Sequence, residues 1–151
     1  MYLIIVSLIV VLDQITKYLA VKHLKGQKPY IIIENFLQLD YVENSGAAFG
    51  ILQDRKIFFV IITTLVIIAI TITLFKYSYK FNNLMIAGLL MLLGGTIGNF
   101  IDRIRLSYVI DFLSVKFGRN YSFPVFNVAD MFIVIGTFLI MLMVSLNRYE
   151  A

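Results

Sequence analysis

Three long stretches of this chain carry no charge, and each approaches the length a helix needs to cross the hydrocarbon core of a bilayer. Ile57 to Phe75 is nineteen residues, and Leu84 to Ile101 is eighteen, without an Asp, Glu, Lys or Arg. Both are close to the ~20 residues of a membrane span. Met131 to Leu146 adds sixteen more, extended upstream by Val125 to Ala129. A fourth span is expected at the N-terminus, apolar from Met1 to Leu12 and continuing through Asp13 and Lys17 to about Val21. It has no basic leader and no small-x-small cleavage site, so it reads as a span rather than a removed signal.

Composition agrees. The chain of 151 residues is 60% apolar and 15% charged, with 13 Lys plus Arg against 9 Asp plus Glu. Soluble domains run at about 45–50% apolar and about 25% charged, so a water-soluble globule is excluded. The absence of cysteine excludes a disulfide framework, a thiol nucleophile and a thiolate metal site, and the single His23 cannot make a zinc cluster. His23 reads as an interfacial residue. Chemistry must come from carboxylates, amides, hydroxyls, lysine or arginine.

The connections differ in character. Phe75 to Leu84 is short, with Lys76 and Lys80, and suits a helical hairpin. Tyr30 to Ile33 and Leu37 to Val42 read as strands around a Glu34-Asn35 turn, and Gly46 to Leu52 as a short surface helix with Gly46 and Gly50 as hinges. Tyr108 to Val115 is a further strand, followed by a turn at Gly118-Arg119-Asn120. The expected architecture is one membrane domain over 1–151, mainly α. Its spans fall at about 1–21, 57–75, 84–104 and 127–146, with β-rich surface segments at about 29–53 and 107–125.

Four alternating spans bring Asp13 and Lys17, then Asn99, Asp102 and Arg103, then Asn127 and Asp130 toward one leaflet, where both long connections also lie. Ionisable residues at membrane depth cost about 2.5 kcal/mol or more each and point to function. Structural readings stand beside that one. Asp13 and Lys17 are spaced i, i+4 for an ion pair, Gly94 and Gly98 allow close helix approach, Arg103 can snorkel, and Asn127 with Asp130 can cap a helix. Asp111 is set in the apolar run Val109-Ile110-Asp111-Phe112-Leu113. If the chain folds back so that Asp111 meets Asp130, two carboxyls in a low-dielectric site hold one proton between them, as an aspartic peptidase requires.

Five blocks carry a family resemblance: Asp13-Gln14-Ile15-Thr16-Lys17, Asn44-Ser45-Gly46-Ala47-Ala48-Phe49, Gly94 through Arg103, Val109-Ile110-Asp111-Phe112 and Phe126-Asn127-Val128-Ala129-Asp130. In this order and spacing the chain resembles the bacterial lipoprotein signal peptidases (signal peptidase II), which are membrane aspartic peptidases. The resemblance implies Asp111 and Asp130 as the catalytic dyad. It implies Asn44, Gly46, Asn99, Arg103, Asn127 and Ala129 as residues that line or shape the substrate site, supported by Asp13, Lys17, Gly95 and Asp102. It implies a β-rich cradle with a short surface helix, and cleavage of prolipoproteins before a diacylglyceryl-modified cysteine. It further implies inhibition by globomycin-like cyclic peptides, contact with membrane lipid, a monomer, no nucleic acid and no cofactor. A small proton-coupled transporter, dependent on Asp13 or Asp102, and a non-enzymatic membrane scaffold remain as alternatives.

Orientation divides the two lines of reasoning. Lys22, Lys25, Lys28, Arg55, Lys56, Lys116 and Arg119 lie in the long connections, against Lys76, Lys80 and Arg148 on the other side. A positive-inside count would make the polar side cytoplasmic. The resemblance implies a cytoplasmic membrane protein with both termini cytoplasmic and the site near the outer leaflet. Folded surface segments can carry Lys and Arg toward anionic lipid, so the resemblance is followed. Lys80→Cys is therefore expected to resist an impermeant thiol reagent added to intact cells and to react after permeabilisation.

Overall fold

The computed structural model describes residues 1–46, 55–117 and 121–150. The expected surface helix over Gly46 to Leu52 falls almost wholly on residues 47–54, and the turn at Gly118-Arg119-Asn120 on 118–120; both lie outside the described residues. The apolar stretches form helices because only a helix satisfies every backbone N–H and C=O within its own segment once water is absent. They are α1 (Tyr2–Leu24), α2 (Lys56–Tyr77), α3 (Asn83–Leu106) and α4 (Val128–Ser145), each long and apolar enough to cross a bilayer. A 3₁₀ turn, Ser78–Lys80, makes the short connection between α2 and α3.

Capping residues fix the helix ends. The Asn82 side chain accepts the Met85 N–H at 2.9 Å to start α3, and Ser107, in the left-handed region at φ 74°, stops it. Asn127 starts α4 through a reciprocal box with Asp130. At the end of the bundle away from the polar cluster, the Asn82 side-chain amide also donates to the Arg148 carbonyl and its N–H to Tyr149 O at 3.0 Å. The chain after α4 is thus latched onto the α2–α3 connection.

The most buried span is α3, which packs against α1, α2 and α4 in turn. Its core contacts are Leu89, Leu90 and Leu93 with Ile70, Leu74 and Met143. Glycines allow the helices to approach closely. A Cβ on Gly136 would stand 2.6 Å from the Gly88 carbonyl oxygen, and one on Gly94 would stand 2.8 Å from the Ile9 side chain. The helix-packing reading of the Gly94 and Gly98 spacing therefore accounts for both residues, since Gly98 faces Asp13 of α1 in the same way.

The surface segments form an antiparallel sheet in the order β1 (Tyr30–Ile33), β2 (Leu37–Asn44), β3 (Val109–Phe117), β4 (Tyr121–Ser122). Asn35 takes a positive φ of 56° in the β1–β2 turn, a conformation asparagine tolerates. Two strands run further than their sequence signals: β2 continues past Val42 to Asn44, and β3 past Val115 to Phe117. Pairing extends them, with Val42 opposite Asp111 and Asn44 opposite Val109. That register carries Asn44 to the membrane end of the sheet, where the carboxylates are. Expected for Gly136→Val is a loss of about 1–3 kcal/mol from overpacking at the α3–α4 crossing, measured by chemical unfolding in detergent. Phe138→Leu on the exposed face of α4 should change little.

Candidate functional site

A charged cluster in the protein interior underlies the site. Lys17, one turn beyond Asp13 on α1, places its ammonium 2.9 Å from Asp13 Oδ2, 2.9 Å from Asp102 Oδ2 on α3, and 2.8 Å from Asn99 Oδ1. An ammonium has three N–H donors, so every one is used. Asp13, Lys17 and Asp102 are 0%, 1% and 3% exposed. The carboxylates also reach other elements: Asp13 Oδ1 accepts the Ala129 N–H of α4 at 3.0 Å, and Asp102 Oδ2 accepts the Ile110 N–H of β3 at 3.2 Å. Gln14 closes the cluster, donating to Asp102 Oδ1 at 3.0 Å and to the Gly98 carbonyl at 3.3 Å.

Asparagines form the next layer. Asn99 Oδ1, held by Lys17, leaves its amide to donate to Asp130 Oδ1 at 2.7 Å. Asn127 Oδ1 accepts the Asp130 N–H at 2.9 Å, while its amide donates to Asp111 Oδ1 at 2.6 Å and to Asn99 Oδ1 at 3.1 Å. The third is Asn44, whose amide donates to Asp111 Oδ2 at 2.9 Å while its oxygen accepts the Gly46 N–H. Asp111 and Asp130 therefore meet through Asn127, which bonds both. Burial pushes the Asp111 carboxyl up to about 6, the hydrogen bond from Asn44 opposes that rise, and the neighbouring Asp130 charge adds to it.

The two carboxylates open onto a cavity of about 510 Å³. Asn44, Gly46, Asn99, Arg103, Asp111 and Asp130 supply its polar wall, and Phe123, Phe126, Met131 and Val134 are among its apolar lining. Met131 and Val134 are exposed on α4 at membrane depth, so the apolar side is continuous with the lipid-facing surface. The Arg103 guanidinium sits 5.1 Å from the Phe59 ring centroid and, among the described residues, makes no ion pair. Its donors remain for an occupant of the cavity.

The other expected site residues stand behind this wall. Asn127 and Ala129 are fully buried and shape the site without lining the cavity. Gly95 faces the Ala129 carbonyl so closely that any Cβ would collide, and a Cβ on Gly98 would stand 2.5 Å from Asp13 Oδ2. Sequence reasoning gave no separate role to Gln14, and it missed Phe59 and the aromatic wall. A glutamine within an apolar helix was a usable signal; a phenylalanine among isoleucines was not. Among the described residues no three His, Cys, Asp or Glu side chains gather as a metal site would need.

Comparison with known proteins gives a consistent result. The family model for signal peptidase (SPase) II matches residues 5–146. The chain is similar to the lipoprotein signal peptidase of Caldanaerobacter subterraneus subsp. tengcongensis, at 49% identity over 93% of this chain and 92% of that one. It is also similar to that of Enterococcus faecalis, at 41% over 99% and 91%. A solved bacterial membrane enzyme superposes with a TM-score of 0.82 at 34% identity, covering 97% of this chain and 87% of the other.

Lys17→Met would leave Asp13 and Asp102 buried without their cation. The expected loss is about 3–5 kcal/mol of stability, read by chemical unfolding in detergent. Adding Asp102→Asn to Lys17→Met should recover part of that loss, because one uncompensated charge is removed.

Proposed function

This chain belongs to the signal peptidase II family, and we propose on that basis that Asp111 and Asp130 are its hydrolytic dyad. It is a multi-pass membrane peptidase, with four spans and a small antiparallel sheet. The observation that carries the proposal is the joining of two carboxylates through Asn127 at the mouth of a cavity whose opposite wall is apolar.

Asp111, with its affinity for a proton raised by burial, is the member that holds the proton, and Asp130 is assigned the part of general base. Asp130 takes a proton from water as the water oxygen attacks the scissile carbonyl, and Asp111 hydrogen-bonds the carbonyl oxygen and transfers its proton to it. As the tetrahedral intermediate collapses, Asp111 recovers that proton and Asp130 gives its own to the leaving amine. Arg103 and the Asn44 amide stand ready as donors to the peptide backbone and the developing oxyanion. Such chemistry draws on the protein's own groups and water.

The substrate is a prolipoprotein, cut before the diacylglyceryl-modified cysteine of its lipobox. An apolar signal helix and a diacylglyceryl group both partition into the bilayer, and the Met131 and Val134 wall offers them a route to the dyad without passing through water. The working form is a monomeric single domain over 1–151, with both termini cytoplasmic, the dyad near the outer leaflet, and globomycin-like cyclic peptides competing for the cavity.

A gel-shift assay with purified protein tests the proposal. Wild type should cut the diacylglyceryl-modified precursor and spare the unmodified one, while Asp111→Asn and Asp130→Asn lose about 10³-fold or more of kcat/KM and still melt cooperatively. As pH rises through about 6, Asp111 loses its proton, so kcat/KM should fall over that range. Stability should move in the same direction. A carboxyl whose folded pKa is raised from 3.8 to about 6 favours the fold most below 3.8, and that contribution is lost as pH rises through 6. Asp111→Asn should remove this pH dependence from the unfolding curve.

A further inference from the structure

The Arg103 side chain has two directions open to it. It leaves α3 one turn before the helix stops at Ser107, and a long cationic side chain so close to a membrane surface ordinarily extends toward the headgroups. Here it lines the cavity of the dyad instead. The nearby carboxylates do not hold it there. Asp102 is engaged by Lys17 and Gln14, Asp111 by Asn44 and Asn127, and Asp130 by Asn99 and the Asn127 N–H. Among the described residues none of the three forms an ion pair with Arg103.

Contact comes from the first turn of α2. The Phe59 ring has its centroid 5.1 Å from the guanidinium carbon, within cation–π range. Phe59 does not belong to the cavity wall, so the ring meets the guanidinium from outside. Phe58 stands edge-on to it, with ring centroids 5.5 Å apart and planes at 77°. Lys56 lies three residues before Phe59 on the same face of α2. Its ammonium donates to Ser107 Oγ at 2.9 Å and to the Ile104 carbonyl at 3.4 Å, a cation at the negative end of α3. Ser107 in turn donates its N–H to the Arg103 carbonyl at 3.2 Å. Through Lys56 and Ser107, α2 is tied to the backbone of Arg103, and through Phe59 to its side chain.

We propose that Phe59 is a positioning residue for the hydrolysis: its ring holds the Arg103 guanidinium in the cavity and away from the headgroups, while Lys56 keeps α2 against the end of α3. The inference rests on the reading of Arg103 as a donor to the substrate. An ion pair would occupy the N–H donors of Arg103 and compete with the substrate for them, whereas a ring attracts the charge without supplying an oxygen acceptor. The donors are then in place before the scissile carbonyl arrives, as preorganised stabilisation of an oxyanion requires.

Two readouts separate position from activity in the full-length protein. With arginine labelled by ¹⁵N in detergent micelles, the Nε–H resonance of Arg103 is identified among the five arginines by its absence from Arg103→Gln. The ring current of Phe59 should displace it. Phe59→Leu should return it to the range of the exposed arginines, and Phe59→Tyr should keep it displaced. Phe59→Met serves as a second non-aromatic variant, and thermal melting shows which variants are folded.

In cleavage of the diacylglyceryl-modified precursor, Phe59→Leu should lower kcat about tenfold with KM changed less than about twofold, and Phe59→Tyr should recover most of the loss. Lys56→Met should lower kcat about threefold. Arg103→Gln should be about 10²-fold slower, and adding Phe59→Leu to it should cost nothing further. A resonance unmoved by Phe59→Leu, an unchanged kcat, or the same tenfold loss with and without Arg103 would each overturn the proposal, as would wild-type cleavage by Arg103→Gln. Wild-type cleavage by Asp111→Asn would remove the dyad reading instead, with the resonance and the coupling of Phe59 to Arg103 still deciding this one.

Discussion

Lys17 is the residue on which the arrangement depends. A buried ammonium is tolerated only when each of its protons has an acceptor and its charge is matched nearby. Here the acceptors come from two helices, Asp13 on its own and Asp102 with Asn99 on α3. Asp13 then holds α4 at the Ala129 N–H with its other oxygen, and Asp102 holds β3 at the Ile110 N–H with the same oxygen that meets Lys17. One cation thereby fixes the relative positions of three helices and a strand. In an apolar medium, where hydrophobic burial between spans has little driving force, polar interactions and close glycine contacts are what align such a bundle.

Above that cluster the asparagines act as directional adapters. A free amide can turn either end toward a carboxylate, but the oxygen of each one here is already committed, to Lys17, to the Asp130 N–H or to the Gly46 N–H. Only the NH₂ ends face the dyad. Donors alone favour the ionised carboxylate, whereas burial and a neighbouring negative charge favour the neutral one. At Asp111 the second pair of influences prevails, and its affinity for a proton rises.

Much of this was legible in the chain. The uncharged runs gave the four helices, and the Asp13 and Lys17 spacing gave the ion pair, because helix length and periodicity are local properties. The strands at Tyr30 and Leu37 were visible for the same reason, although the continuation of β2 to Asn44 was not, since pairing with β3 and not local preference extends it. Asp102 as a second partner for Lys17 was beyond reach, since no pattern within one helix tells which face of another it meets. The meeting of Asp111 with Asp130 required the chain between α3 and α4 to return on itself. Spacing allowed that return without dictating it. Phe59 beneath Arg103 and the aromatic wall carried no signal, because in a chain so rich in phenylalanine and isoleucine another apolar residue is unremarked background.

The capping of α4 by Asn127 has a consequence for how the cavity can change under selection. The amide that starts the helix also bonds Asp111, and the carboxylate that completes the cap is Asp130. Exchange of either would weaken the start of a membrane helix as well as alter the polar wall. Met131 and Val134 are bound by no such double duty. A molecule that grips the asparagines and carboxylates therefore meets a surface the chain has little freedom to vary, whereas one that leans on the apolar wall meets positions open to escape.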